Sequence, residues 1–81
     1  MLNKNTSIHV YPNPIINELN ISINNNELSE IILYDIASRK ILQQKFTHSV
    51  SLNTEHLAKG LYLYELLSRN GLCKKGKVIH R

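Results

Sequence analysis

The sequence predicts an all-β fold, a small antiparallel immunoglobulin-like β-sandwich of about seven strands. Three observations carry this reading. Apolar and polar residues alternate with period two in successive short runs, the runs recur at intervals of roughly ten residues, and Pro, Asn and Gly punctuate them. No segment has the length and caps of a long helix.

Residues 1–7 read as a polar linker, and the domain is expected over 8–81. Ile8-His9-Val10-Tyr11 is a short alternating run that Pro12-Asn13-Pro14 stops. Proline has no N–H for a ladder and biases the residue before it to extended geometry, so this strand belongs at a sheet edge. Residues 18–23 alternate strictly, which sends Leu19, Ile21 and Ile23 to the core, and Asn24-Asn25-Asn26 ends the run in a turn. Residues 29–34 follow, with Ile31 and Leu33 on one face and Ile32 and Tyr34 on the other. Asp35-Ile36-Ala37-Ser38 then forms a hairpin connection to a strand over 39–46.

Residues 49–52 give a fifth run. Asn53 or Thr54 is an N-cap candidate and Gly60 a helix stop, with room between them for a single helical turn. Residues 61–67 are strongly β-prone and place Tyr62, Tyr64 and Leu66 on one face. Arg69-Asn70-Gly71 turns the chain, with Gly71 or Asn70 taking positive φ, and 72–80 form the last strand. The predicted core contains Leu19, Ile21, Ile31, Leu33, Leu57, Tyr62, Tyr64 and Val78.

A chain of 81 residues is one small domain, too short for the layered sheet of a nucleotide-binding enzyme. Hydrophobic residues at 42% and charged residues at 20% exclude a disordered tail or a coiled coil. No apolar run reaches the roughly 20 residues of a membrane helix, and no apolar stretch follows Met1-Leu2-Asn3-Lys4-Asn5 as an export signal would require. Charge is uneven. Up to Ser38, Lys4 stands against Glu18, Glu27, Glu30 and Asp35, whereas from Arg39 onward nine Lys or Arg stand against Glu55 and Glu65.

Catalytic and ligand constellations are absent from the pattern. His9, His48, His56 and His80 have no partner at metal-ligand spacing and are expected to face solvent; Cys73 is alone, so neither a metal nor a cofactor is expected. Asp35 and Ser38 lack a glycine-flanked nucleophile elbow, and Asp35 is expected to accept a backbone N–H within its own turn. Gly60, Gly71 and Gly76 stand apart and form no phosphate loop. Lys74-Lys75-Gly76-Lys77 with Arg81 reads as a basic edge strand that resists further pairing. Nucleic acid is not expected as a partner, because Tyr62 and Tyr64 alternate on the core face instead of offering rings to bases.

Four motifs in register resemble the C-terminal sorting domain of the type IX secretion system, the Por secretion tail. Val10-Tyr11-Pro12-Asn13-Pro14 followed by Leu19-x-Ile21 is similar to the family's opening, and Leu33-Tyr34-Asp35-x-x-Ser38-Arg39 to its hairpin. Leu52-Asn53-x-Glu55-x-Leu57-x-x-Gly60-x-Tyr62 resembles a third segment; Gly71 and Lys77-Val78-Ile79-His80-Arg81 resemble its final glycine turn and its closing residues. Ser38 stands where the family has glycine, Asn53 where it has Asp, and Glu55 where it has a small hydroxyl residue. At positive φ, Ser38 would cost roughly 1–2 kcal/mol.

The resemblance implies a non-enzymatic secretion signal covalently linked to a cargo domain on its N-terminal side. It implies transit through the periplasm and arrival at the cell surface or outside the cell. The implied partners are an outer-membrane translocon with its shuttle protein, and a sortase-like peptidase that removes the domain. A monomer is expected. Recognition is placed at Lys77, Val78, Ile79, His80 and Arg81, where cations, a terminal carboxylate and a strand edge open to strand addition would be displayed. The alternative is a carbohydrate-binding or adhesive sandwich module, which would need exposed aromatics on one sheet face.

Overall fold

A computed structural model describes residues 7–69 and 71–81. Seven strands follow the predicted runs closely: β1 Ile8–Tyr11, β2 Glu18–Ile23, β3 Leu28–Tyr34, β4 Lys40–Thr47, β5 Ser49–Asn53, β6 Gly60–Ser68 and β7 Gly71–His80. They form two antiparallel sheets, one of three strands in the order β1-β2-β5 and one of four in the order β4-β3-β6-β7. The proline-stopped β1 lies at an edge, as its sequence requires. No helix occurs among the described residues.

The period-two pattern decides which faces meet. Leu19, Ile21 and Ile23 of β2 pack against Ile31 and Leu33 of β3, Tyr62, Tyr64 and Leu66 of β6 and Val78 of β7 in one buried cluster. Burying a side chain of this size contributes roughly 1.5–3 kcal/mol, and a one-residue slip in register would turn a whole strand's contribution outward. Leu57 is half-buried and packs on the rim of this cluster, not inside it, because its loop lies at the end of the sandwich. Ile15, from the segment between β1 and β2, is fully buried and was not apparent as a core residue from alternation. Gly76 pairs with Tyr64 across β6 and β7, and a Cβ there would come within 2.8 Å of the Tyr64 hydroxyl and 3.0 Å of its ring. The glycine thus makes room for a buried ring, whose hydroxyl pKa is raised by desolvation.

Two bulges interrupt the ladders. Leu33 pairs with Leu42 and Tyr34 with Lys40, which leaves Ile41 extra in β4; Leu66 pairs with Lys74 and Leu67 with Leu72, which leaves Cys73 extra in β7. The Cys73 thiol is free and packs against the core cluster.

The β3–β4 hairpin is held by Asp35. Its carboxylate Oδ1 accepts the N–H groups of Ala37 and Arg39, each at 2.9 Å, and Oδ2 accepts Arg39 Nε–H at 2.7 Å. The Arg39 backbone N–H, followed by the guanidinium and the Ala37 N–H, holds this carboxyl below the usual carboxylate range against partial desolvation. The Ser38 N–H donates to the Asp35 carbonyl at 3.0 Å and the Asp35 N–H to the Arg39 carbonyl at 3.0 Å, the bonding of a three-residue hairpin loop over 36–38, one residue shorter than the four-residue connection expected over 35–38, because Asp35 itself pairs with Arg39. Such a loop requires a left-handed residue in its third position, and Ser38 has φ 65°. His48 has φ 73° and alone links β4 to β5, carrying the chain from one sheet to the other. Histidine is among the residues enriched in this conformation, so the residue type itself carried the signal.

Between β5 and β6 the chain makes one turn. Asn53 Oδ1 accepts the Glu55 N–H at 2.9 Å, and the Leu57 N–H donates to the Thr54 carbonyl at 3.0 Å. Gly60, at φ 144°, starts β6, and the Tyr62 hydroxyl donates back to the Ala58 carbonyl at 2.6 Å. This is a tyrosine corner, which fixes how a loop enters a sandwich strand. At the far end, β6 and β7 meet at the Ser68–Gly71 pair and Gly71 takes φ 106°; Asn70 lies outside the described residues.

Ser38→Gly is expected to stabilise the domain by about 0.5–1.5 kcal/mol in urea unfolding, with His48→Gly shifting in the same direction. Destabilisation by both would contradict the left-handed assignment. Tyr62→Phe, which keeps the buried ring and removes only the hydroxyl, is expected to cost about 0.5–1.5 kcal/mol. A variant as stable as the parent would show that the corner hydrogen bond is fully replaced by water.

Candidate recognition site

The last strand lies at the edge of the four-stranded sheet, but its outer side is occupied near its end. Pro12 and Pro14, whose preceding peptide bonds are both cis, have no N–H to extend β1, so the segment leaves the first sheet and crosses to the second. There the Asn13 side chain takes the place of a strand: Oδ1 accepts the Ile79 N–H at 3.1 Å, and Nδ2–H donates to the Lys77 carbonyl at 3.4 Å. The next residue but one continues the ladder with its backbone. The Ile15 N–H donates to the Ile79 carbonyl at 2.7 Å and the Arg81 N–H to the Ile15 carbonyl at 2.9 Å, a parallel bridge to His80. Asn17 then accepts the Thr54 N–H at 2.9 Å, tying the same segment to the turn before the tyrosine corner.

The expected open edge at 77–81 is therefore corrected. The outward N–H groups of Ile79 and Arg81 and the carbonyls of Lys77 and Ile79 already have partners within the chain, so strand addition there would require displacing 13–15. What remains outward is side chains. Lys77 and Arg81 are exposed and Ile79 is 50% exposed, whereas Val78 is buried. His80, expected to face solvent, is instead only 5% exposed. Its Nε2 lies 2.6 Å from the Thr54 carbonyl oxygen and its Nδ1 3.0 Å from the Arg81 carbonyl oxygen, so the ring anchors the strand end to the turn. Strand alternation forces this: residues 78 and 80 share a face, and Val78 is core. His9, His48 and His56 are exposed, and among the described residues no group of His, Cys, Asp or Glu is placed to hold a metal ion.

The motif residues separate into two neighbourhoods. Asn13 and Pro14 come together with 77–81, although more than sixty residues separate them in sequence. Asp35, Arg39, Leu57, Gly60 and Tyr62 line one cleft at the end of the sandwich. Tyr34 lies on the outer face of the four-stranded sheet, where its hydroxyl donates to Glu65 Oε1 at 2.8 Å; that bond, first among the causes, raises its pKa. Tyr11 is half exposed beside Pro12, and Gly71 stands apart at the far hairpin.

No curated protein matches the sequence. The sequence model of the secretion system C-terminal sorting domain matches residues 9–80, nearly the whole chain and all seven strands but for the first residue. The chain belongs to that family, whose members are the C-terminal sorting signals of type IX secretion.

Proposed function

We propose that the outer-membrane translocon and its shuttle protein read this domain through the outward side chains of Lys77, Ile79 and Arg81, with Val78 and His80 holding them in place. The observation that supports the reading is the division of the last strand into an anchored face and a displayed one. Its backbone is held on both sides, by β6 and by 13–15, so the displayed groups keep a fixed spacing. Preorganisation of this kind spares the ordering cost that a flexible tail would meet on binding.

In this reading the domain is a monomeric label without chemistry of its own. Residues 1–7 join it to a cargo domain that folds in the periplasm, and a sortase-like peptidase removes the label once the cargo has crossed. The adhesive alternative draws no support from the tyrosines it would need, since Tyr62 and Tyr64 are buried and Tyr11 and Tyr34 lie on different sheets.

A reporter carrying an N-terminal export signal and fused to this domain is expected at the surface or in the medium of a cell with the type IX translocon. Lys77→Glu combined with Arg81→Glu is expected to hold it in the periplasm with an unfolding midpoint near the parent's, because exposed substitutions of this kind usually change stability by less than about 0.5 kcal/mol. Export of the folded double variant at the parental level would remove these cations from the signal. Retention of the parent fusion would overturn the reading as a whole.

A further inference from the structure

Four of the eight exposed large apolar side chains among the described residues share one surface. Ile36 is 73% exposed at the tip of the β3–β4 hairpin, and Ile41 and Leu61 stand exposed nearby. All three line a cleft of about 540 Å³ between that hairpin and residues 56–62. Leu61 pairs with Ile79 across β6 and β7, and both lie on the face opposite Tyr62 and Val78, so the apolar surface runs from the cleft onto the last strand.

The unpaired side-chain charges that line the cleft or flank Ile79 are of one sign. Asp35 is the lining carboxylate, and both its oxygens are taken up by its own hairpin. Arg39, its partner in the 2.7 Å ion pair, offsets that charge, whereas Lys59 lines the same cleft exposed, and Lys77 and Arg81 flank Ile79. A second copy of the domain would bring these cations against one another. Ile36 alone projects from a hairpin tip, while Ile41, Leu61 and Ile79 are 39%, 41% and 50% exposed along the cleft and the sheet face, so most of this surface is shaped to receive side chains from an entering chain and not to meet a bilayer.

Resting on the sorting reading above, we propose that the displayed strand is one part of a composite docking surface, formed by the cleft of Ile36, Ile41, Lys59 and Leu61 together with Ile79. Its occupant is an acidic polypeptide segment of the partner protein, with apolar side chains between its carboxylates. Isoleucine and leucine side chains of the cleft take up the apolar groups, and Lys59 and the cations of the last strand face the carboxylates. Electrostatic complementarity of this kind sets orientation and partner choice.

The test has two arms. In export, Ile36→Asp and Lys59→Glu fusions are each expected to lower surface reporter about tenfold, the effect of roughly 1.4 kcal/mol in affinity, with unfolding midpoints unchanged. Leu28→Asp, at a residue 59% exposed at the opposite end of the same sheet, is expected to stay within about twofold of the parent, the range of a neutral surface change. In solution, a synthetic peptide alternating Asp and Ile is expected to shift the amide resonances of Ile36, Leu61 and Ile79 in the isotope-labelled domain, and the same peptide with Lys for Asp is expected to leave them unmoved. Parental export of the Ile36 and Lys59 variants, while Lys77→Glu with Arg81→Glu is still retained, would overturn the composite surface and leave the sorting reading standing. Equal shifts with both peptides would overturn the acidic occupant. Binding to phosphatidylcholine vesicles containing phosphatidylglycerol, or dimerisation of the purified domain, would assign the surface to a bilayer or a second copy if abolished by Ile36→Asp, and overturn the proposal.

Discussion

The fold depends on how one sheet closes the edge of the other. An edge strand leaves a row of N–H and carbonyl groups without partners, and β7 carries the proposed recognition residues on such an edge. Asn13 and Ile15 cover it, the first with a carboxamide that supplies both a donor and an acceptor, the second with its own backbone. Because this segment leads from β1 into β2, the same few hydrogen bonds fasten the three-stranded sheet to the four-stranded one. Ile15 fills the space beneath them and is completely buried.

The motif residues acquire separate physical tasks from this arrangement. The two prolines end a strand and Asn13 begins a latch. Asp35 gathers three N–H donors to close a hairpin whose left-handed position is held by Ser38. Gly60 and Tyr62 set the entry to β6, and Gly71 opens β7. Most of the motif is thus architecture, and it fixes where the smaller set of outward side chains stands. The outward side chains of the last strand take their positions from segments distant in sequence, 13–15 and the turn at Thr54.

Strands and faces were legible in the sequence because period-two alternation is a local signal, and β1 and β2 were readable to the residue. Ser38 was also readable, as a departure at a position where a turn demands positive φ. Long-range pairing was not. Nothing near Asn13 indicates that its side chain bonds to Ile79, and nothing near His80 indicates the Thr54 carbonyl. His80 was nevertheless within reach of inference: once Val78 is core, alternation turns residue 80 inward too. The role of Gly76 was not legible either, because it is set by space for its partner across the ladder, Tyr64.

Hydrogen exchange at single amides of β7 tests the closure of its edge most directly. Ile79 and Arg81 are predicted to be strongly protected, because their N–H groups point outward into the segment of Asn13 and Ile15. Lys75 shares the outward phase of Ile79 by strand periodicity but lies beyond that segment, and its amide is predicted to exchange as an open edge does. Equal, rapid exchange at Lys75, Ile79 and Arg81 would contradict the account, because it would mean that the last strand is held only by β6 and that the Pro-Asn-Pro segment does not close the domain.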